Sequence, residues 1–363
     1  MNLSDVIEGL VEERGLERDK VIDVVCQGVL AAFKKRFPDL DLHAVFNHKQ
    51  GEVDIFVKKE IVSSVKDSDT QITTRKAKVF APKAKEGDVI DVPFEHKIGR
   101  IEILTAKQVI ATKIAELEHA VVYKEFEGKK GTIISGVVHK RERAGIAVKI
   151  GDVMALLPNE NMIPQESPKV GHPIRTLLKD VLPVARGDYQ LILDRAAADF
   201  VQCLLEAEIP EVFEGIVEIK NIVRSAGYKT KAVVVSNAKE IDPVGTCVGV
   251  GGSRIKPILR ELGQEKIDLI KWTDSQEKLV KDSLKPAEID KVEITDNKAT
   301  IWLAQDQRSL AIGKMGQNIM LASRLTGLEI QLQDVAPAES VDSMELESLD
   351  MPDNVLGEKE NEE

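Results

Sequence analysis

The chain has 363 residues, enough for two to four domains with ample cores. No run of 18 apolar residues occurs, Met1-Asn2-Leu3-Ser4-Asp5 has no basic-then-apolar leader character, and Cys26, Cys203 and Cys247 fit no metal or redox spacing, so a cytoplasmic protein with no membrane span, metal or cofactor is expected. The formal net charge is −11, but residues 335–363 carry ten acidic side chains and one lysine, which leaves the preceding 334 residues near neutral.

Residues 1–36 read as two amphipathic helices, with Val6, Leu10 and Val11 on one apolar face and Val21, Val24, Val25, Val29 and Ala32 on the next. Residues 42–62 alternate as strands around a turn at Lys49-Gln50-Gly51, and residues 78–96 read as further strands. Ile103, Ala106, Ile110, Ile114, Leu117 and Val121 then recur at steps of three and four. That spacing predicts one long helix with a single buried stripe, a stiff arm leading out of an N-terminal domain of residues 1–127. Glu127-Gly128-Lys129-Lys130-Gly131 ends it.

Residues 128–195 change character. Five short strands are expected at 131–139, 144–150, 153–157, 173–181 and 189–193, separated by glycine and proline. Five strands in so short a span suggest a small closed barrel, because closure removes unpaired edges. Gly151-Asp152-Val153-Met154-Ala155-Leu156-Leu157-Pro158 resembles the third-strand region of S1-type OB barrels. Lys140, Arg141 and Arg143 supply cations, but stacking aromatics are scarce: Tyr189, with Tyr123 and Phe126 just before the barrel. Weak, phosphate-led RNA contact is the expectation.

Two Gly-x-x-Gly loops follow, 64 residues apart: Gly249-Val250-Gly251-Gly252, continued by Ser253, Arg254 and Lys256, and Gly313-Lys314-Met315-Gly316, continued by Gln317 and Asn318. The same offset aligns Ile255 with Ile319 and Gly263 with Gly327, the last pair at helix C-caps. Val217-Glu218-Ile219 recurs as Val292-Glu293-Ile294 at the head of a strand pair. Both stretches, 196–274 and 275–334, read helix–strand–strand–helix–loop–helix–strand, an internal repeat of a small domain. A Gly-x-x-Gly turn between helices grips the backbone of single-stranded nucleic acid in KH domains, and this order of elements is the type II form. The short link around Thr273-Asp274-Ser275 favours a fixed orientation of the two units. Residues 220–260 hold eight Lys/Arg against Glu240 and Asp242, a basic excess around the first loop. Pro257 is expected to kink the helix after that loop.

Residues 335–363 lack periodicity and read as a disordered acidic tail that competes for the basic face of the KH units. Enzymatic signatures fail on inspection. Arg254 stands where a dinucleotide fingerprint needs its third glycine, Arg308 stands where a P-loop needs its first, and no His-Glu-x-x-His or Gly-x-Ser-x-Gly occurs. The fold class is therefore multidomain α+β: an N-terminal α/β domain with a long connecting helix, an S1-type OB β-barrel, two type II KH domains and the tail.

Glu160-Asn161-Met162-Ile163-Pro164, residues 209–219, residues 241–249 and Ala311-Ile312-Gly313-Lys314-Met315-Gly316-Gln317-Asn318 occur in order. With them the chain resembles the bacterial transcription elongation factor family NusA over residues 1 to about 334. The resemblance implies a non-enzymatic factor, monomeric when free. It implies binding of RNA polymerase at the β-subunit flap through the N-terminal domain, guidance of nascent single-stranded RNA by the S1 and KH domains, and association with other antitermination factors. Gly251, at a place usually basic, and Asp194-Arg195-Ala196-Ala197-Ala198 depart from the family pattern. A ribosome-associated RNA-binding protein or RNA chaperone is the alternative, and a KH- and S1-bearing exoribonuclease a more distant one, since nothing here is long enough for its catalytic body.

Overall fold

A computed structural model describes residues 3–96 and 99–334. The described residues form two compact units, those up to 208 with 260–264, and 209–259 with 265–334. The expectation for the acidic tail lies outside the described residues.

The first unit begins with α1 (Leu3–Arg14) and α2 (Arg18–Arg36). A four-stranded sheet follows, built from β1 (Leu42–Asn47), β2 (Glu52–Val62), β3 (Gln71–Thr73) and β4 (Val89–Pro93), with β2 paired to all three others. Between β3 and β4 lies α3 (Thr74–Phe80). Its last three residues, 78–80, fall within the stretch 78–96 expected to form strands. Helix-forming side chains and the burial of Ala77 decide otherwise. Phe33, Leu42, Val57, Ile61 and Ile72 form the core under the sheet.

The long helix is α4 (Arg100–Glu127), 28 residues and therefore about 42 Å. Its stripe is not continuous. Ile114 and Leu117 pack on the core that holds Ile7, Val21, Val25 and Phe46. Ile103 and Val121, at the ends of the predicted stripe, are 44% and 41% exposed. Nearer the C-terminus the buried face turns to Val122, Tyr123 and Phe126, which join the core of the barrel. One helix thus serves two cores in succession, so its apolar face rotates along its length. Where α2 crosses it, a Cβ on Gly28 would stand 2.3 Å from Ile110 Cγ1, so only glycine permits that approach.

The barrel strands are β5 (Ile133–Arg141), β6 (Gly145–Ile150), β7 (Val153–Pro158), β8 (Pro173–Arg186) and β9 (Tyr189–Asp194). They close in the order β5-β6-β7-β9-β8 around Val138, Ile146, Val148, Leu157, Leu178 and Leu191. After β9, Asp194 Oδ1 accepts from Ala196 N and Ala197 N at 2.7 and 2.8 Å, turning the chain into α5 (Ala198–Glu208). Arg195, 1% exposed, is buried against the Glu166 carboxylate, with Nη2 2.5 Å from Oε1.

The second unit contains two three-stranded sheets. After α6 (Pro210–Phe213), β10 (Val217–Ser225) and β11 (Lys229–Ser236) pair antiparallel, and β12 (Lys266–Lys271) adds parallel to β11. Between β11 and β12 come α7 (Pro243–Val248), the first glycine loop and α8 (Ile255–Leu262). The second copy repeats this with α9 (Gln276–Ser283), β13 (Lys291–Thr295), β14 (Lys298–Leu303), α10 (Arg308–Ile312), the second loop, α11 (Gln317–Thr326) and β15 (Glu329–Asp334). Its pairings are also antiparallel then parallel. Leu321 and Leu325 of α11 pack with Val223, Val233 and Ile270 of the first sheet, and Asn221 Nδ2 donates to Leu325 O at 2.8 Å. Shared core and hydrogen bond hold the two copies in one orientation.

Pro257 does not kink α8. It is the third residue of the helix, where a backbone N–H has no intrahelical acceptor, so its absence costs nothing there.

Candidate nucleic-acid interface

Each glycine loop joins a short helix to a following one through a tight turn. Gly249 and Gly313 close α7 and α10 at φ 72° and 73°, with ψ 167° and 176°. Gly251 and Met315 follow at φ 60° and 54°, and Gly252 and Gly316 at φ 77° and 73°. The two backbones therefore match residue for residue. A left-handed residue that is not glycine costs on the order of 1–3 kcal/mol, a cost that the second loop carries at Met315. Gly251 takes the same conformation freely.

The first glycine of each loop is also required by space. A Cβ on Gly249 would stand 2.8 Å from Ser253 Oγ and 3.0 Å from Arg254 Cγ, and one on Gly313 would stand 2.6 Å from Asn318 Cβ. At the loop tips the side chains face solvent: Val250 is 96% and Met315 88% exposed, and Lys314 and Lys256 are exposed. The N–H groups of Gly252, Ser253 and Arg254 donate within the first loop and that of Gly316 within the second, so what suits phosphate oxygens is the uncrowded backbone at each tip with the positive end of the helix dipole behind it.

Two residues expected at the interface do other work. Asn318 is 3% exposed, and its Nδ2 donates to Leu284 O, Leu310 O and Ala311 O at 3.1–3.2 Å. Arg254 Nη1 donates to Thr246 O at 2.9 Å and lies 2.8 Å from the Glu211 carboxylate. Both side chains fold back under the loop rather than out of it. Glycine-loop spacing marks these positions but cannot say which way their side chains turn.

The basic excess around the first loop is mostly spent inside the fold. Arg224, Nε and Nη2, pairs with Glu265 at 2.9 Å on each arm, with both side chains buried. Lys229 and Lys231 share Asp268 at 2.9 and 2.8 Å, and Lys220 lies 2.6 Å from Glu218. Burial pushes the Lys231 ammonium below the usual lysine range. Burial alone would raise the Asp268 carboxyl, but hydrogen bonds and charge from Lys231 and Lys229 hold it below its ordinary value. With Arg254 on Glu211, five of the eight cations in 220–260 are ion-paired, leaving Lys239, Lys256 and Arg260 without such a pair among the described residues. The free positive charge at the KH face is correspondingly smaller than the composition implied.

On the barrel, Lys140 and Arg141 end β5 and Arg143 follows in the hairpin to β6, all exposed. Lys140 Nζ lies 2.7 Å from Glu142, whose hydrogen bond and charge raise the lysine above its usual range, and Arg141 Nη2 donates to Ser167 Oγ at 3.2 Å. The aromatics are not free to stack: Tyr189 is 8% and Phe126 5% exposed, and Tyr123 Oη bonds Glu127 at 3.0 Å. A separate cleft of about 530 Å³ runs beside β8 and β9, with Lys130, Lys179 and Arg186 on its walls. Sequence reasoning missed these three, since they come together only when the barrel closes.

Among the described residues no group of three His, Cys, Asp or Glu side chains is arranged to hold a metal ion. No helix among them is long and apolar enough to cross a membrane.

A model of the NusA N-terminal domain matches residues 2–120, a NusA-like first KH domain matches residues 195–272, and a NusA-like second KH domain matches residues 276–340. The chain is 33% identical over 356 residues to the transcription termination/antitermination protein NusA of Bacillus subtilis (strain 168), covering 96% of each chain. It is 32% identical over 348 residues to the protein of that name from Halalkalibacterium halodurans, with 95% of this chain and 91% of the relative covered. To the one from Thermus thermophilus it is 32% identical over 345 residues, with 91% and 89% covered. With twin glycine loops in matched geometry, three domain matches in chain order and relatives aligned nearly end to end, the chain belongs to the NusA family.

Proposed function

We propose that this chain is a non-enzymatic, RNA-binding transcription factor that modulates pausing, termination and antitermination. The N-terminal domain binds RNA polymerase at the β-subunit flap, beside the emerging RNA, and the assembly works with other antitermination factors. The barrel, as an S1-type module, and the two KH units hold nascent single-stranded RNA. Gly249–Gly252 and Gly313–Gly316 bind phosphates, with Ser253, Lys256, Lys314 and Gln317 at their edges and Lys140, Arg141 and Arg143 contributing from the barrel.

The observation that carries this reading is the repeat of one loop geometry. Two turns, 64 residues apart, share three left-handed positions in register, present their tips to solvent and open helices. Such turns let a nucleic-acid backbone approach where any Cβ would block it. Their fixed relation through the shared core would let one strand run across both. A pull-down from nuclease-treated lysate tests the assignment: RNA polymerase subunits are expected, and ribosomal subunits in their place would move the chain to the alternative class. A paused-complex assay with purified polymerase then reads the activity, as longer dwell at a hairpin pause.

A further inference from the structure

Positive charge without an ion-pair partner gathers in the N-terminal domain, at α3 and the turn after it. Arg75, Lys76, Lys78, Lys83 and Lys85 are all exposed, and none is ion-paired among the described residues. The two carboxylates of the segment are engaged by backbone: Glu86 Oε1 accepts from Ser63 N and Asp88 Oδ2 from Lys85 N. Apolar surface lies among the cations. Val79 is 77%, Phe80 49% and Val89 62% exposed. Residues four apart share a helix face, so Val79 stands one turn from Arg75 and Phe80 one turn from Lys76. A cleft of about 550 Å³ opens between residues 81–84 and 88–90, with Lys83 and Val89 on its walls.

Isolated exposed apolar residues need no explanation, but three beside one cleft, interleaved with five cations, form a surface complementary to a negatively charged partner that also carries apolar side chains. An incoming carboxylate meets these cations without first breaking an ion pair. Resting on the assignment of residues 1–127 to polymerase binding, we propose that the surface of Val79, Phe80 and Val89, with Lys76, Lys78, Lys83 and Lys85 at its rim, docks an acidic, amphipathic segment of RNA polymerase. Apolar side chains of that segment enter the cleft and its margin, and carboxylates one turn away meet the rim. RNA fits this surface less well. Bases stack on rings, and Phe80 is the one aromatic within residues 74–90, while Glu86 and Asp88 stand against phosphates.

Carbodiimide cross-linking of the full chain to purified RNA polymerase, read by peptide mass spectrometry, locates the contact. Cross-links from Lys76, Lys78, Lys83 and Lys85 to aspartates and glutamates of one polymerase segment are expected. Titration with polymerase then measures affinity. The full-length variant Lys78→Glu/Lys83→Glu/Lys85→Glu should bind roughly tenfold more weakly at low salt, since three exposed pairs are reversed, and the loss should shrink as salt rises. Val79→Ser, at the most exposed of the three apolar positions, should weaken binding about threefold at every salt concentration, because it removes apolar contact and no charge. Undiminished affinity in the triple variant, with cross-links from lysines elsewhere in the domain, would overturn the proposal and leave the polymerase-binding assignment in place. Absence of binding by the unaltered protein would remove that assignment itself. If the triple variant lost affinity for a single-stranded RNA oligomer while keeping its affinity for polymerase, the surface would belong to nucleic acid instead.

Discussion

Arg254 and Asn318, 64 residues apart, hold equivalent places in the two KH copies and donate to equivalent carbonyls, Thr246 O at 2.9 Å and Leu310 O at 3.2 Å. Each clips the helix before its loop to the helix after it. The first glycine of each loop leaves room for that side chain. Unlike side chains thus perform one task, so the repeat preserves a bond pattern where it does not preserve a residue.

Asn318→Ala is expected to destabilise the second KH copy by about 1–3 kcal/mol, because buried carbonyls lose their shared donor. Asn318→Asp should cost more, since it sets a carboxylate among the same carbonyls. Urea unfolding of the full chain measures both. If Asn318→Asp were as stable as the unaltered protein, the buried amide would not be the clip.

Replacing Lys314-Met315 by Asp-Asp should weaken single-stranded RNA binding while leaving the fold intact. Both positions are exposed, and aspartate tolerates the left-handed conformation of residue 315 better than methionine does. The matching change at Val250-Gly251 should have a smaller effect, because that loop carries no cation to lose and Arg254 is turned inward. Gel-shift titration reads both, and unchanged affinity in the two double variants would remove the glycine loops as the grip.

Residues 1–127 are expected to bind RNA polymerase alone, and residues 128–363 to bind RNA while pausing transcription poorly. The second fragment should also be less stable than one that keeps the last turns of α4. Phe126, 5% exposed, lies in the barrel core, and loss of a buried phenylalanine typically costs about 3–5 kcal/mol. Denaturation of fragments starting at 118 and at 128 compares them. Full pausing by the C-terminal fragment would contradict the tethering role of the N-terminal domain.

Glu265→Gln should be among the most damaging single changes in the first KH sheet. Its carboxylate accepts from Arg224 twice, from Thr230 Oγ1 at 2.6 Å and from Gly227 N at 2.9 Å, all within the fold. Breaking one side of a buried ion pair costs about 3–5 kcal/mol, because the remaining charge stays desolvated. Replacing Arg224 by Met and Glu265 by Leu together should recover most of that loss. Chemical denaturation of the single and double variants decides whether the pair is needed for stability.

The periodicities alone determined most of the architecture. Alternation marked β1 and β2, glycine and proline punctuation marked the five barrel strands, three-and-four spacing marked α4, and the 64-residue offset marked the KH repeat with both loops. These are local signals, carried by neighbours in sequence and by glycines whose conformation no other residue adopts cheaply. Tertiary structure decided the rest. The strand expected from residue 78 gave way to the end of α3, whose Ala77 is buried, and the stripe on α4 divided because two cores share the helix. Arg254 and Asn318 turned inward because each had carbonyls within reach. Five of the eight positive charges counted along residues 220–260 went into ion pairs with Glu218, Glu265, Asp268 and Glu211, while a shorter run at 75–85 kept its charge at the surface. Composition counts charges, but only the fold determines which of them have already met a partner.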